Sequence, residues 1–126
     1  MKSQAGAVAA VVVAALVYVQ LILGGGVLIT RAVPGWASEV WRDAHVGLGN
    51  IIWLLAIIPA VILWRLKPPS RTLRIGGITL FVLTFIQAGI GFAGPWGSVA
   101  VMAAHGLTAA LIFAAAVALA VLAVWE

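Results

Sequence analysis

The chain has 126 residues, 65% of them hydrophobic and only 8% charged, with a mean hydropathy of +1.24. Soluble domains run near half apolar and a quarter charged, so this is the composition of an integral membrane protein, and four spans of about 20 residues leave no room for a separate soluble domain. Seven Lys and Arg stand against three Asp and Glu, but the bases fall in turns between apolar segments, which reads as membrane topology and not as a nucleic-acid surface; the lack of cysteine excludes disulfides, iron–sulfur clusters, c-type haem attachment and thiolate catalysis.

The first apolar segment covers about 6–30. It is rich in Ala, Val and Leu, with Gln20 and the run Gly24-Gly25-Gly26 in its second half. It has no short apolar stretch followed by a cleavage site, and reads as a membrane anchor, not a removed leader. Pro34-Gly35 marks a turn, and Ser38 to Arg42 reads as a short interfacial helix capped by Ser38. The second span covers about 43–64, with Pro59 expected to kink it. A basic turn broken by Pro68-Pro69 leads to the third span, about 73–92. The turn Gly94-Pro95-Trp96-Gly97 follows, and Ser98 is placed to cap the fourth span, about 99–124. The expected fold is a single all-α domain over 1–126, an antiparallel bundle of four transmembrane helices.

The charges give an orientation. Lys2, Arg65, Lys67, Arg71 and Arg74 make five bases on one side, whereas Arg31 and Arg42 on the other are offset by Glu39 and Asp43. The positive-inside rule then puts both termini in the cytoplasm of a cell with its plasma membrane as host. Trp36, Trp41 and Trp96 fall at the outer boundary, and Trp64 and Trp125 at the inner one, as an aromatic belt.

A weak internal repeat divides the chain into two similar hairpins. Gln20-x-x-x-Gly24 matches Gln87-x-x-x-Gly91, and His45-x-Gly47 matches His105-Gly106. His45 and His105 are the two histidines of the chain, at the heads of spans two and four, which run parallel and bring both toward the outer face. An ionisable side chain in a membrane segment is a functional-site hypothesis by default. Two imidazoles converging from neighbouring helices suit the two axial positions of a haem, which brings its own equatorial nitrogens. Three other readings stand beside it: hydrogen bonds to nearby carbonyls, a proton relay, and a bare metal. Zinc needs three or four protein ligands, so a bare ion would have to recruit Met102, Glu39 or Asp43.

Several residues fit around such a group. Gly49 and Ala109 each lie four residues after a histidine, on the same helix face, where a small side chain leaves space for a flat macrocycle. Gly24, Gly25, Gly26, Gly89 and Gly91 do the same from spans one and three, or simply let helices approach closely, as Gly76-Gly77 does. Arg31 and Arg42 are candidates for haem propionates, or solvated loop charges. Gln20 and Gln87 are interhelical hydrogen-bond glue, or orient the axial imidazoles. No carboxylate lies within a span, which weighs against a proton-coupled transporter.

Gln20-Leu21-Ile22-Leu23-Gly24-Gly25, Thr30-Arg31 and then His45 resemble the first hairpin of a haem A synthase half. Gln87-Ala88-Gly89-Ile90-Gly91 and Ala104-His105-Gly106 resemble the second. The resemblance covers nearly the whole chain. It implies a bis-histidine haem b site at His45 and His105, with haem O and haem A as substrate and product. The family has eight spans in two halves, so it also implies a homodimer or partner subunits of a respiratory complex. Its catalytic half has a glutamate three residues before the first histidine, where this chain has Arg42. Glu39 is then the carboxylate that would serve catalysis. Without that activity the chain reads as a small b-type cytochrome passing electrons, or as an accessory subunit of a respiratory complex that holds no cofactor.

Overall fold

The computed structural model describes residues 2–31, 35–65, 70–93 and 98–125. The turns expected at Pro34, at Pro68-Pro69 and over 94–97, with Lys67 and Trp96, lie outside them. Among the described residues the chain is all helix: α1 Lys2–Thr30, α2 Trp36–Leu55, α3 Ile57–Trp64, α4 Arg71–Ala93 and α5 Val99–Trp125. Helices α2 and α3 together form one span, so four stretches are long and apolar enough to cross a bilayer. This is the all-α four-helix bundle of a multi-pass membrane protein.

Span two begins earlier than its sequence suggests. The polar stretch from Ser38 to Asp43 is not a separate interfacial helix but the first turns of α2, which starts at Trp36. Gly35, at φ 153°, is the residue before it, in a conformation that L side chains rarely adopt. Ser38 therefore lies inside the helix, and its hydroxyl donates back to the Gly35 carbonyl at 2.8 Å. The true side-chain cap is elsewhere: Ser70 Oγ accepts from Leu73 N at 3.2 Å and starts α4 two residues before the expected Leu73. Ser98 does precede α5, and its carbonyl accepts from Met102 N at 3.1 Å.

Pro59 interrupts span two, with its effect felt one turn upstream. It has no N–H to give to the Leu55 carbonyl, and its ring crowds that carbonyl. The break accordingly falls at Ala56, between α2 and α3.

The four spans form a square in the order α1, α2/α3, α4, α5, each packed against its two neighbours. The core fills one half of it. Ala7, Ala10, Val13, Ala14 and Val17 of α1 meet Ile112, Ala116, Leu119, Ala120 and Ala123 of α5, with Leu63, Leu73 and Leu80 completing the cluster. Ala10-x-x-x-Ala14 and Ala116-x-x-x-Ala120 are small-residue stripes of the kind that lets membrane helices come close. Gly77 does this on the other side: a Cβ there would stand 3.1 Å from the Ala60 backbone, and one at Gly76 would stand 2.8 Å from Leu119 Cδ1. The other half of the bundle, where both histidines sit, is hollow.

Candidate functional site between the two histidines

His45 on α2 and His105 on α5 occupy opposite corners of the square. Their ring centroids are 6.1 Å apart and the ring planes make an angle of 69°. Each is supported by the helix preceding it in its own hairpin. Gln20 Nε2 donates to the His45 carbonyl at 2.8 Å, and Gln87 Nε2 donates to the His105 carbonyl at 2.9 Å. One turn further along, a Cβ at Gly24 would stand 3.2 Å from His45 Cε1, and one at Gly91 would stand 3.3 Å from His105 Cε1. The repeat seen in the sequence is thus a repeat of contacts: a glutamine holds the histidine backbone, and a glycine makes room for its ring.

The two hairpins differ in height without losing this register. Gln20 and His45 are 25 residues apart, but Gln87 and His105 only 18. The difference is about one extra turn on each helix of the first hairpin, beyond the glutamine on α1 and before the histidine on α2. Whole turns keep the same faces inward. Trp41, one turn before His45, packs its ring on Gly26, where no Cβ would fit.

A cavity of about 450 Å³ is lined by both rings, within the range of cofactor and ligand pockets. Gln20, Gly24, Gly25, Arg31, Arg42, His45, Gly49, Gln87, Gly91, His105 and Ala109 all line it. Gly49 has a further use: a Cβ there would come within 3.0 Å of Gln20 Nε2, so its hydrogen side chain admits the amide to the His45 carbonyl. Gly26 and Gly89, expected to open the same space, do not line it; Gly26 receives Trp41, and a Cβ at Gly89 meets nothing within 4 Å.

Arg31 and Arg42 bring positive charge to the cavity wall. Arg31 Nη1 donates to Met102 Sδ at 2.8 Å, and Arg42 Nε pairs with Asp43 Oδ1 at 3.2 Å on the exposed side. Glu39 does not join them. It lies exposed in the first turn of α2, and neither it nor Asp43 lines the cavity. No carboxylate does, among the described residues.

Asn50 and Trp53 also line the cavity, and sequence reasoning assigned neither. Asn50 was detectable: it is the one asparagine of the chain, polar and well inside span two. Thr84 in the wall is self-satisfied, its hydroxyl donating to the Leu80 carbonyl at 2.6 Å.

Four shielded polar atoms here have no hydrogen-bond partner: Nδ1 of His45 and of His105, and Oε1 of Gln20 and of Gln87. Buried polar atoms are rarely left so, and a matched set of four marks a place built for something else to complete. A bare ion fits poorly, because no group of three His, Cys, Asp or Glu exists among the described residues. The two imidazoles lie 6.1 Å apart beside the cavity, and its glycine-rich wall and two arginines suit a flat group with carboxylates. The residues therefore fit a haem.

No family model, curated protein or solved structure matches this chain.

Proposed function

We propose that this protein is a haem b-binding membrane protein built like one half of a haem A synthase, with His45 and His105 as the axial ligands. The observation that carries the reading is the approach of the two rings to 6.1 Å at the wall of one cavity, with supporting contacts that are duplicated. When bound, haem b supplies a one-electron iron couple. The chain's own residues do the rest. Gln20 and Gln87 fix the backbone from which each imidazole projects. Gly24 and Gly91 fix the tilt of the rings, because any larger residue would press on Cε1. Arg31 and Arg42 hold the propionates, and the apolar wall keeps water from the iron's surroundings.

We assign the protein to haem or respiratory-chain biology in the plasma membrane, both termini cytoplasmic and the histidines toward the outer face. Five of the seven bases support that orientation. Electron transfer is the activity the cavity favours, since among the described residues no carboxylate lines it to steer chemistry on a haem methyl group. A haem A synthase-like oxidoreductase, acting as a homodimer or beside respiratory subunits, is the second reading, favoured by the Gln–Gly–His plan of both hairpins. An absorption spectrum of the purified protein, oxidised and reduced, tests the haem. Colourless protein from haem-replete cells overturns it.

A further inference from the structure

A second cleft, of about 290 Å³, lies at the end of the bundle opposite the histidines. Trp64 at the end of α3 and Arg71, Arg74, Ile75 and Ile78 in the first turns of α4 line it. The Arg74 guanidinium lies over the Trp64 ring, 5.2 Å from its centroid. Its Nε is shielded from solvent and has no acceptor among the described residues. Arg71 stands one turn earlier on the same face. The described carboxylates, Glu39 and Asp43, both belong to the other end of the bundle.

Arginines that only mark membrane orientation extend into water. Arg74 is instead pinned on an indole with a donor turned away from solvent. A guanidinium fork matches phosphate geometry, and the N-terminal end of α4 adds a favourable potential for an anion. Below the arginines the wall turns apolar: Ile75 is 53% and Ile78 42% exposed on the outer surface of α4. A free anion has no use for that surface, whereas an acyl chain does. We propose that this cleft is a binding site for a bilayer phospholipid, its phosphate gripped by Arg74 and Arg71 and its chain laid along Ile75 and Ile78. Two neighbouring cations select anionic lipid over zwitterionic lipid. The site is independent of the haem reading.

Native mass spectrometry of the intact protein released from detergent micelles tests this, with phosphatidylglycerol, phosphatidylcholine and inorganic phosphate as probes. Wild type is expected to retain phosphatidylglycerol in preference to phosphatidylcholine. Arg74→Gln should lower retention at least about fivefold, the factor expected for one basic residue at a membrane surface. Arg74→Lys, which keeps the charge and loses the fork, should fall between. Arg65→Gln removes the same charge outside the cleft and should match wild type. Equal retention of the two lipids, equal loss in the Arg65 and Arg74 variants, or displacement of the lipid by inorganic phosphate overturns the proposal. Should Arg74→Gln fail to fold by circular dichroism, the lipid preference of wild type and the Arg74→Lys variant still decide it.

Discussion

The imidazoles of His45 and His105 meet edge to face, centroids 6.1 Å apart, although the backbones of α2 and α5 nowhere come into contact. Their meeting is made by helices α1 and α4, which occupy the other two corners and carry the glutamines and glycines. Removing one histidine should therefore cost the cofactor and leave the bundle. His45→Ala and His105→Ala are each expected to abolish a low-spin bis-imidazole spectrum, with helix content by circular dichroism unchanged. An unaltered spectrum in either variant refutes the ligand pair.

The glycine contacts give a sharper test, since they act on ring position alone. Gly91→Val places branched carbon where a single Cβ would already stand 3.3 Å from His105 Cε1, and Gly24→Val does the same to His45. Both should lower haem content at least about tenfold, the lower end of what outer contacts contribute to a metal site. Gly89→Val is the control, because a Cβ there meets nothing within 4 Å. Equal haem content in all three variants removes the glycines from the site.

Gln20→Leu and Gln87→Leu break one interhelical hydrogen bond each. Bonds of this kind in membrane bundles contribute about 0.6 kcal/mol on average, so unfolding in mixed micelles should shift little. On the proposed reading the effect on the bound group should be larger, as a changed midpoint potential or lower haem retention, because the carbonyl being held belongs to the proposed ligand residue itself. A large loss of stability with an unchanged potential would reduce the glutamines to helix glue.

How much of this was legible in the sequence follows from which physical signal each feature leaves. Spans are announced by hydropathy, and the histidine pair by the repeated Gln-x-x-x-Gly and His segments, since duplicated contacts need duplicated residues. The start of α2 is half legible: Ser38 to Arg42 reads as helix, but its polar residues set it apart from the apolar span, whereas a helix that rises beyond the apolar slab becomes polar too. Gly26 and Gly89 share a composition with Gly24 and Gly91, and only the fold separates those that face a ring, an indole or open space. Glu39 is close to His45 in sequence, but six residues along a helix do not return to the same face. The break at Ala56 was nearly legible: Pro59 announced it, and the missing hydrogen bond falls four residues earlier.

Orientation is testable by thiol labelling, the chain having no cysteine of its own. Ser98→Cys is expected to react with an impermeant maleimide on intact cells, and Arg65→Cys only after permeabilisation. Both positions are exposed. The reverse pattern would invert the topology and put the histidine cavity on the cytoplasmic side.

The last prediction concerns what the cavity does. Turning haem O into haem A requires charge developing at a haem methyl group to be stabilised by a group fixed beside it. Glu39 was the carboxylate the sequence offered, and it lies on the outside of α2, with Arg42 between it and the cavity in sequence. Asn50 and Trp53, which do line the cavity, carry no charge to replace it. Co-expression with a haem O source, followed by acid extraction and chromatography of the pigments, should give haem b alone. Glu39→Gln should leave pigment, spectrum and haem content as in wild type. Haem A in the wild-type extract would instead establish the synthase reading. If Glu39→Gln then abolished it, the carboxylate would have to reach the cavity by unwinding the first turns of α2, a movement that hydrogen exchange at Val40 and Trp41 would report.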